Sequence, residues 1–457
     1  MKLFGTFGIR GVANQDLIPE LAFKVSSCFC NLYRGPIMVG RDARTSSDML
    51  FHSVVAGLIS VGCKAIDLGL IPTPGLQYAI RNSSARGGVM ITASHNPPEY
   101  NGIKFLDENG IGIPKENEKK IEEMFFSDNI PRKSWDCLGK LERDDSFIEK
   151  YKLAIISRID KNLTRKKGLK VVIDCANNVG SLVTPYVLKE LGCKVITINS
   201  QLDGHFPGRD PEPTVDSLRD LGKAVIDTEA LIGIAHDGDA DRTIFLDENG
   251  NVLTGDRNLG IIAKEELIKK GKGIVVTTVG TSSLIDFVVN EYNGDIIRTK
   301  IGDTNVSRKL KECNGLIGGE ENGGVIFPDL VWGRDGALTA AKMVEILCKY
   351  EKTLSEINKE LPMYYSCKLK TRCPEYLKNE VMAKFENVVP EYDSLDKTDG
   401  VKVIFSDGSW VLVRASGTEP IIRIFSESRD EKKAKKLAYE HADMVKELVS
   451  EFGESNN

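Results

Sequence analysis

The hexapeptide FLDENG occurs twice in this chain, at residues 105–110 and again at 245–250. A strand-like apolar run and a polar loop precede each copy, GVMITASHNP before the first and LIGIAHDGDADR before the second. Further upstream, Val- and Ile-rich runs alternate with segments of helical character, a pattern typical of buried strands in βαβ units. A third round in the same order ends at GLIGGEENGGVIFP. Three α/β repeats therefore account for most of the chain.

The C-terminal part has a different pattern. Residues 401–425 read as antiparallel strands around an Asp-Gly turn, and residues 430–452 as a charged amphipathic helix. We therefore predict an α/β protein of four domains. Three are similar α/β mixed-sheet repeats and the last is a C-terminal α+β domain, with the boundaries 1–150, 151–251, 252–365 and 366–457.

Composition excludes several classes of protein. The net charge of −5 and the lack of a basic block argue against nucleic acid as a partner. No apolar run approaches the roughly 18 residues that span a bilayer, and the N-terminus resembles no secretory signal. The ten cysteines form no CxxC pairs, which indicates reduced thiols. We expect a cytoplasmic protein with no membrane partner. The sequence leaves open whether the protein forms a homo-oligomer.

Each repeat carries its most unusual loop at the same point, directly after a strand-like run. In open α/β sheets, ligands bind beyond the carboxyl ends of the strands. The loops TASHNP, DGDADR and GGEENGG are therefore expected to face one cleft.

The loop DGDADR contains three alternating carboxylates, Asp237, Asp239 and Asp241. Such a group is self-repelling unless a hard divalent cation neutralises it. An EF-hand loop is the rival interpretation, since Glu248 stands at the twelfth position. However, Arg242 occupies the sixth position, where that loop needs glycine, and a strand follows. The pattern favours an oxygen-ligand site of the Mg²⁺ type.

Two other loops offer polar groups that suit a ligand or a plain turn. In GGEENGG, Glu320 and Asn322 could bind sugar hydroxyls, which both donate and accept hydrogen bonds. In GTFGIRG, Thr6 and Arg10 could line a backbone cradle or belong to a tight turn. Both interpretations stay open for these segments.

The segment RASGTEPIIR has the chemistry of an anion site. It offers guanidinium, hydroxyl and backbone N–H groups around an open turn, although hairpin turns are often rich in the same residues. No Walker A sequence occurs, so a nucleoside triphosphate site is not supported. The candidate residues are Arg414, Ser416, Gly417, Thr418 and Arg423.

Ser94 lies beside His95 in TASHNP, which raises the possibility of an activated nucleophile. A Ser-His-Asp hydrolase would need a nucleophile elbow of the GxSxG type, and both glycines are missing. Neighbouring residues in a turn also rarely place an imidazole correctly against the adjacent hydroxyl. A serine at a strand end, an acidic loop and an anion cradle favour phosphoryl transfer instead.

TASHNP, DGDADR, GEENG and RASGTEP together resemble the motifs of the α-D-phosphohexomutases, in that family's order and over essentially the whole chain. The resemblance is strongest to the archaeal-type phosphomannomutase/phosphoglucomutase branch. It implies four domains around a central cleft, namely a phosphoserine domain, a metal-binding domain, a sugar-recognition domain and a phosphate-binding domain. The implied reaction interconverts hexose 1-phosphate and hexose 6-phosphate through a hexose 1,6-bisphosphate intermediate.

The resemblance also implies roles for individual residues. Ser94 would carry the phosphate, and this phosphate with Asp237, Asp239 and Asp241 would hold Mg²⁺. Arg10 and Lys104 would flank the phosphoserine, with Lys104 as proton shuttle and His95 in contact with the phosphate. The substrate-binding residues would be Thr6, Arg242, Glu320, Asn322, Arg414, Ser416, Gly417, Thr418 and Arg423.

Two positions depart from the family pattern. Phe7 stands where relatives usually carry Asp or Ser, and Asn322 and Gly324 stand where many bacterial members carry Ser and His. The sugar specificity therefore stays open among glucose, mannose and glucosamine phosphates. The alternatives are a phosphoglucosamine mutase, a metal-dependent sugar phosphatase, which would need no second phosphate site, and a non-catalytic sensor, which would lack the serine or an aspartate.

Overall fold

The three repeats form three sheets that share one strand order. The structure, a computed structural model, describes residues 3–5, 7–389, 392–417 and 419–455. In each repeat the four strands lie in the order fourth, third, first, second. The first three strands are parallel, and the fourth is antiparallel to the third. The predicted threefold α/β architecture is confirmed.

The sheet of the first repeat has one additional strand at each edge. Its strands are β1 (Ile9–Val12), β2 (Ile37–Arg41), β3 (Ala65–Leu70), β4 (Gly87–Ile91), β5 (Tyr100–Asp107) and β6 (Leu141–Arg143). Its helices are α1 (Pro19–Tyr33), α2 (Ser47–Ser60), α3 (Thr73–Arg81) and α4 (Lys115–Ser127), with a 3-10 turn at Trp135–Cys137.

The second repeat begins with two helices that pack on helices of the first and third repeats. Its strands are β7 (Lys170–Asp174), β8 (Lys194–Ile198), β9 (Ile232–His236) and β10 (Thr243–Leu246). Its helices are α5 (Ser146–Ile156), α6 (Lys161–Lys167), α7 (Thr184–Glu190) and α8 (Arg219–Asp227), with a 3-10 turn at Val179–Leu182.

The third repeat has shorter third and fourth strands. Its strands are β11 (Ile274–Thr278), β12 (Asp295–Thr299), β13 (Ile317–Gly319) and β14 (Val325–Ile326). Its helices are α9 (Gly255–Lys270), α10 (Leu284–Glu291), α11 (Asp303–Cys313), α12 (Gly336–Tyr350) and α13 (Leu354–Lys359). One continuous apolar core, from Tyr151 to Leu361, runs through the second and third repeats and joins them.

The C-terminal region is an antiparallel sheet covered by helices, as predicted for an α+β domain. Numbered along the chain, its five strands lie in the order first, fifth, fourth, third and second. The strands are β15 (Tyr365–Arg372), β16 (Ser394–Asp396), β17 (Val401–Ile404), β18 (Trp410–Ala415) and β19 (Ile421–Ser428). The helices are α14 (Lys378–Val388) and α15 (Glu431–Ser455), with a 3-10 turn at Glu375–Leu377. The exact domain boundaries stay predictions.

The repeated FLDENG is a structural turn rather than part of a site. It closes the fourth strand of the first and second repeats. Asp107 Oδ1 accepts from the N–H groups of Asn109 and Ile111, at 2.9 and 3.2 Å. Asp247 Oδ1 accepts in the same way from Asn249 and Asn251, at 2.9 and 2.8 Å. The identity of the two hexapeptides therefore reflects one shared turn.

The prediction of reduced thiols is wrong for one pair of cysteines. Cys30, near the end of α1, and Cys63, before β3, form a disulfide with their Cα atoms 6.4 Å apart. The other eight cysteines are free. The pair was missed because its members are 33 positions apart in sequence and meet only where α1 and α2 pack together. Within the described residues, no helix is long and apolar enough to cross a bilayer.

Candidate active site

The loops that follow the third strand of each repeat meet in one cleft, as expected from their positions. Ser94, after β4, donates from Oγ to Asp237 Oδ2 at 2.8 Å, which joins the first repeat to the second. Arg334 joins the second repeat to the third, because it donates to Asp241 Oδ2 at 2.7 Å and to Glu320 Oε2 at 3.1 Å.

Ser94 has an unusual backbone conformation. It is fully buried and has φ of +54°, in the left-handed region that costs a non-glycine residue free energy. Its N–H donates to Thr92 Oγ1 at 2.9 Å, and Thr92 in turn donates to Asp42 Oδ2 at 2.7 Å. A Cβ atom at Gly238 would lie 2.4 Å from the Ser94 carbonyl oxygen. Glycine in DGDADR therefore permits the close approach of the two loops.

Arg44 holds the serine loop in place. Its Nη1 donates to the carbonyls of Pro97 and Tyr100, at 2.6 and 2.9 Å. Its Nη2 donates to the carbonyls of Ser94 and Asn96, at 2.9 and 2.6 Å. The guanidinium is buried and lies 3.2 Å from Asp42. Arg44 was not predicted as a functional residue, since nothing in its local sequence distinguishes it from a surface arginine.

Arg44→Lys is expected to lower kcat about 10- to 100-fold and to lower the melting temperature. A lysine ammonium cannot donate to four carbonyls at once, and small displacements of a reacting group cost rate on this scale. Steady-state kinetics with thermal unfolding measure both effects. Arg86→Lys, at an exposed arginine of the same domain, is the matched control. A kcat for Arg44→Lys within twofold of wild type contradicts the role assigned to Arg44.

The aspartate triplet has the geometry and chemistry of a cation site. One carboxylate oxygen from each of Asp237, Asp239 and Asp241 lies within 4.8 Å of the others, and all three residues are buried. Among the described residues, Asp239 Oδ1 and Asp241 Oδ1 have no hydrogen-bond partner. Buried, unpartnered carboxylate oxygens this close fit a hard divalent cation.

The pKa values of Asp237 and Asp239 are shifted in opposite directions. Burial, followed by repulsion from Asp241 and Asp239, raises the pKa of Asp237 to about 8. Burial also acts to raise the pKa of Asp239, but its ion pair and hydrogen bond with Lys104 hold that pKa below the ordinary range. The positive charge of Lys104 therefore favours the ionised form of Asp239, whereas burial and its acidic neighbours disfavour that of Asp237.

Lys104 supplies one such charge from β5. Its Nζ lies 2.6 Å from Asp239 Oδ2 and 3.8 Å from Asp241 Oδ2, and the side chain is buried. Thr73, at the start of α3, donates to the same Asp239 oxygen at 2.5 Å and was missed by the sequence analysis. Phe7, noted as a departure from the family pattern, places its ring centroid 5.0 Å from Lys104 Nζ.

His95 is a neutral hydrogen-bond acceptor in this structure. Burial, together with the positive charges of Arg242 and Arg10, lowers the pKa of His95 to about 2. Its Nδ1 accepts from Arg242 Nη2 at 3.1 Å and lies 3.3 Å from Ser94 Oγ. Because Ser94 Oγ donates to Asp237, the structure pairs the serine with the acidic loop rather than with a histidine base.

The two predicted arginines both contact the serine loop, Arg10 at Asn96 and Arg242 at His95. Arg10, on β1, donates from Nη1 to Asn96 Oδ1 at 2.8 Å. Arg242 places its Nε 3.8 Å from both Asp237 Oδ2 and Asp241 Oδ1. Both positive side chains therefore face the place where Ser94 and the triplet meet.

Glu320 and Asn322 differ in their surroundings. Glu320 is buried and accepts from Arg334 and from the N–H of Gly302, at 3.1 and 3.0 Å. Burial raises the pKa of Glu320 to about 7, although Arg334 opposes this shift. Asn322 Oδ1 accepts from the N–H of Gly324 at 3.1 Å and so stabilises its own loop. Arg334, which joins this loop to the triplet, was missed by the sequence analysis.

The C-terminal anion segment forms a turn between β18 and β19. Lys378 of α14 holds it, because its Nζ donates to the carbonyls of Ser416 and Glu419, at 2.6 and 2.7 Å. This lysine was also missed. Arg414 and Arg423 are half-buried, and each is paired with a carboxylate. Arg414 Nε lies 3.1 Å from Asp399 Oδ2, and Arg423 Nη2 donates to Glu419 Oε2.

Two further predicted residues cannot be placed in the same way. Thr6 and Thr418 lie outside the described residues. For Gly417, no atom of the described residues beyond its chain neighbours lies within 4 Å of the position that a Cβ would take.

The four-domain fold and the three loops around one cleft define the class of α-D-phosphohexomutases. Family models described as phosphoglucomutase/phosphomannomutase match four consecutive segments. Alpha/beta/alpha domains I, II and III match residues 1–131, 147–250 and 254–365, and the C-terminal domain matches residues 369–444.

Individual proteins are similar over nearly the whole chain. A phosphoglucomutase/phosphomannomutase of Thermococcus kodakarensis is 49% identical over 95% of this chain and 96% of its own. A phosphoglucosamine/phosphogalactosamine mutase of Sulfurisphaera tokodaii is 43% identical over 96% of this chain and 98% of its own. The crystal structure of a phosphoglucomutase/phosphomannomutase family protein of Burkholderia thailandensis has a TM-score of 0.88 at 26% identity, covering 98% of this chain and 97% of that one.

The chain belongs to the phosphoglucomutase/phosphomannomutase family. The predicted family, the fold of four domains and the enzyme class, an isomerase of the phosphohexomutase type, are confirmed.

Proposed function

We propose that this protein interconverts hexose 1-phosphate and hexose 6-phosphate, with glucose and/or mannose as the hexose, through a phosphorylated Ser94. One observation carries the proposal. A buried serine, in a left-handed conformation, directs its Oγ at a carboxylate of a buried aspartate triplet, 2.8 Å away. This arrangement suits phosphoryl transfer, where positioning and charge stabilisation dominate catalysis.

The proposed cycle has two phosphoryl transfers. In the first, the bond between phosphorus and Ser94 Oγ breaks as a bond to the free hydroxyl of the hexose phosphate forms, which yields the hexose 1,6-bisphosphate. After the bisphosphate turns over, its other phosphate returns to Ser94 Oγ and the isomeric monophosphate leaves. Lys104 is the proposed proton shuttle for the hydroxyl, because it is buried against the same triplet as Ser94.

Mg²⁺ is the proposed cofactor, and it supplies positive charge that stabilises the transferring phosphoryl group. The residues that would hold it are Asp237, Asp239 and Asp241 together with the phosphate on Ser94. Arg10 and Arg242 neutralise further charge at the same place, and neutral His95 accepts from Arg242 and so orients it.

The remaining residues bind the two ends of the substrate. Glu320 and Asn322 are assigned to the sugar hydroxyls. Thr6 and Arg242 are assigned to the substrate near the reacting serine. The phosphate that does not react is assigned to the C-terminal turn, where the proposed ligands are Arg414, Ser416, Gly417, Thr418 and Arg423.

A second candidate activity is that of a phosphoglucosamine mutase. It shares the reaction and differs only at C2 of the sugar. The relative from Sulfurisphaera tokodaii carries that name, at 43% identity. Asn322 favours neither candidate, because its carbonyl oxygen is engaged within its own loop.

Phosphorus NMR of the protein with Mg²⁺, a trace of hexose 1,6-bisphosphate and each 1-phosphate tests the proposal. The expected result is conversion of glucose and mannose 1-phosphates into 6-phosphates, with glucosamine 1-phosphate as the third arm. Faster conversion of glucosamine 1-phosphate than of the other two favours the second candidate. Release of inorganic phosphate without 6-phosphate contradicts a mutase and indicates a phosphatase.

A further inference from the structure

The C-terminal domain docks on the third repeat through a compact interface. The sheet face around Trp410, Leu412 and Phe425 packs on Val279, which follows β11. Trp410 Nε1 donates to Ser283 Oγ at 3.1 Å. The anion turn between β18 and β19 is therefore carried on a domain whose placement depends on contacts with the third repeat.

Asp399 lies where this interface meets the anion turn. Its Oδ2 accepts a hydrogen bond from the N–H of Ile301 in the third repeat at 3.0 Å. The same oxygen lies 3.1 Å from Nε of Arg414, in its own domain. One carboxylate oxygen therefore contacts both the neighbouring domain and an arginine of the proposed phosphate site.

The backbone next to Asp399 packs closely against the strand that carries Arg414. Strands β17 and β18 pair Val401 with Val413, which brings the residues before β17 alongside Arg414. Gly400 has φ of +86°, and a Cβ there would lie 2.4 Å from the Val413 carbonyl oxygen and 2.7 Å from Arg414 Cβ. Only glycine fits here, so Asp399 is held directly against Arg414.

The residue that follows Ile301 contacts Glu320 in the GGEENGG loop. Ile301 donates its N–H to Asp399, and the next residue, Gly302, donates its N–H to Glu320 Oε1 at 3.0 Å. Two consecutive N–H groups of one loop thus hold Glu320 on one side and the Asp399–Arg414 pair on the other. This arrangement fixes the distance between the sugar-binding carboxylate and the phosphate-binding guanidinium.

We propose that Asp399 is a positioning residue that sets Arg414 at the correct distance from Glu320 when the C-terminal domain is docked. The inference rests on the proposed function, since it assigns Arg414 to the phosphate and Glu320 to the sugar. Asp399 Oδ2 forms an ion pair with the guanidinium on its Nε side, at 3.1 Å, without a hydrogen bond from the Nε–H group. The phosphate would then be bound by the outer Nη groups.

A comparison of Asp399→Asn and Asp399→Ala tests the inference. The alanine variant loses both contacts and is expected to raise KM for hexose 1-phosphate about tenfold or more, with a smaller change in kcat. The asparagine variant keeps an acceptor for the Ile301 N–H and loses the charge beside Arg414, so an intermediate KM is expected. Asp407→Asn is the matched control, because Asp407 pairs with Lys433 on the outer part of the same domain.

A double-mutant cycle separates positioning from general destabilisation. Asp399→Ala in an Arg414→Ala background is expected to change KM less than twofold, because the residue that Asp399 positions is gone. A merely structural role predicts the same loss in both backgrounds. Calorimetry of hexose 1-phosphate binding to Ser94→Ala, with and without Asp399→Ala, measures affinity without turnover, and thermal unfolding monitors folding.

The outcomes distinguish the two proposals. If the wild type is an active mutase and Asp399→Ala leaves KM and affinity within twofold, the positioning role is wrong and the proposed function stands. Full additivity with Arg414→Ala also overturns the positioning role. If the wild type neither converts nor binds hexose phosphates, the proposed function fails and the inference fails with it.

Discussion

Ser94→Ala is expected to abolish mutase turnover, with a loss of at least about a thousandfold in kcat. The proposed reaction runs through a covalent bond at Ser94 Oγ, and removal of a nucleophile costs rate on this scale or more. Alanine fits this buried site, because it differs from serine only in lacking the hydroxyl group. Phosphorus NMR of the turnover, with mass spectrometry of the isolated protein for phosphate on Ser94, measures the outcome.

The control for this experiment is Ser84→Ala, at an exposed serine of the same domain. This variant is expected to keep wild-type kcat and the phosphate on Ser94. Full activity of Ser94→Ala, or phosphate that stays on the protein after that change, contradicts the phosphoserine mechanism.

Asp239→Asn is expected to weaken Mg²⁺ activation at least about 100-fold and to reduce kcat strongly. The amide is close in size but removes a charge from the proposed cation site, and even partners of metal ligands change metal affinity 10- to 100-fold. It also weakens the pair with Lys104, whose Nζ lies 2.6 Å from Asp239 Oδ2. Activity titrated against Mg²⁺ gives the midpoint for each protein.

A second readout does not depend on turnover. Mg²⁺ that binds only the folded state raises the melting temperature, and this rise is expected for the wild type and absent for Asp239→Asn. Asp227→Asn, at an exposed aspartate at the end of α8, is the matched control and should show the wild-type rise. An unchanged Mg²⁺ midpoint and melting shift in Asp239→Asn contradict the assignment of the triplet as the metal site.

Much of the fold followed from local patterns. Val- and Ile-rich runs separated by helical segments identified the three repeats, because strand and helix periodicity is a property of neighbouring residues. The shared strand order was not predicted, since pairing between strands depends on contacts that no single segment contains. The prediction that Cys30 and Cys63 are reduced was wrong for the same reason, because the two residues come together only through the packing of α1 on α2.

The residues of the candidate site were also predicted only in part. The motif loops were found because unusual polar residues follow apolar runs at recurring positions. Four residues that contact these loops were not predicted, because each lies far in sequence from the loop that it contacts. They are Arg44, Thr73, Arg334 and Lys378. Arg334, for example, contacts Asp241 across 93 positions. An arginine in a sequence carries no sign of whether it will lie in solvent or against a buried carboxylate.

By itself, the sequence determined the α/β class, the three repeats and the residue types in each loop, since these depend on short-range order along the chain. Only the tertiary structure decided that Ser94 meets Asp237 across 143 positions and that His95 accepts from Arg242. It also decided that Asp399 joins Arg414 to the third repeat. The physical reason is that buried charges must be paired, and the folded packing selects which distant group pairs with each one.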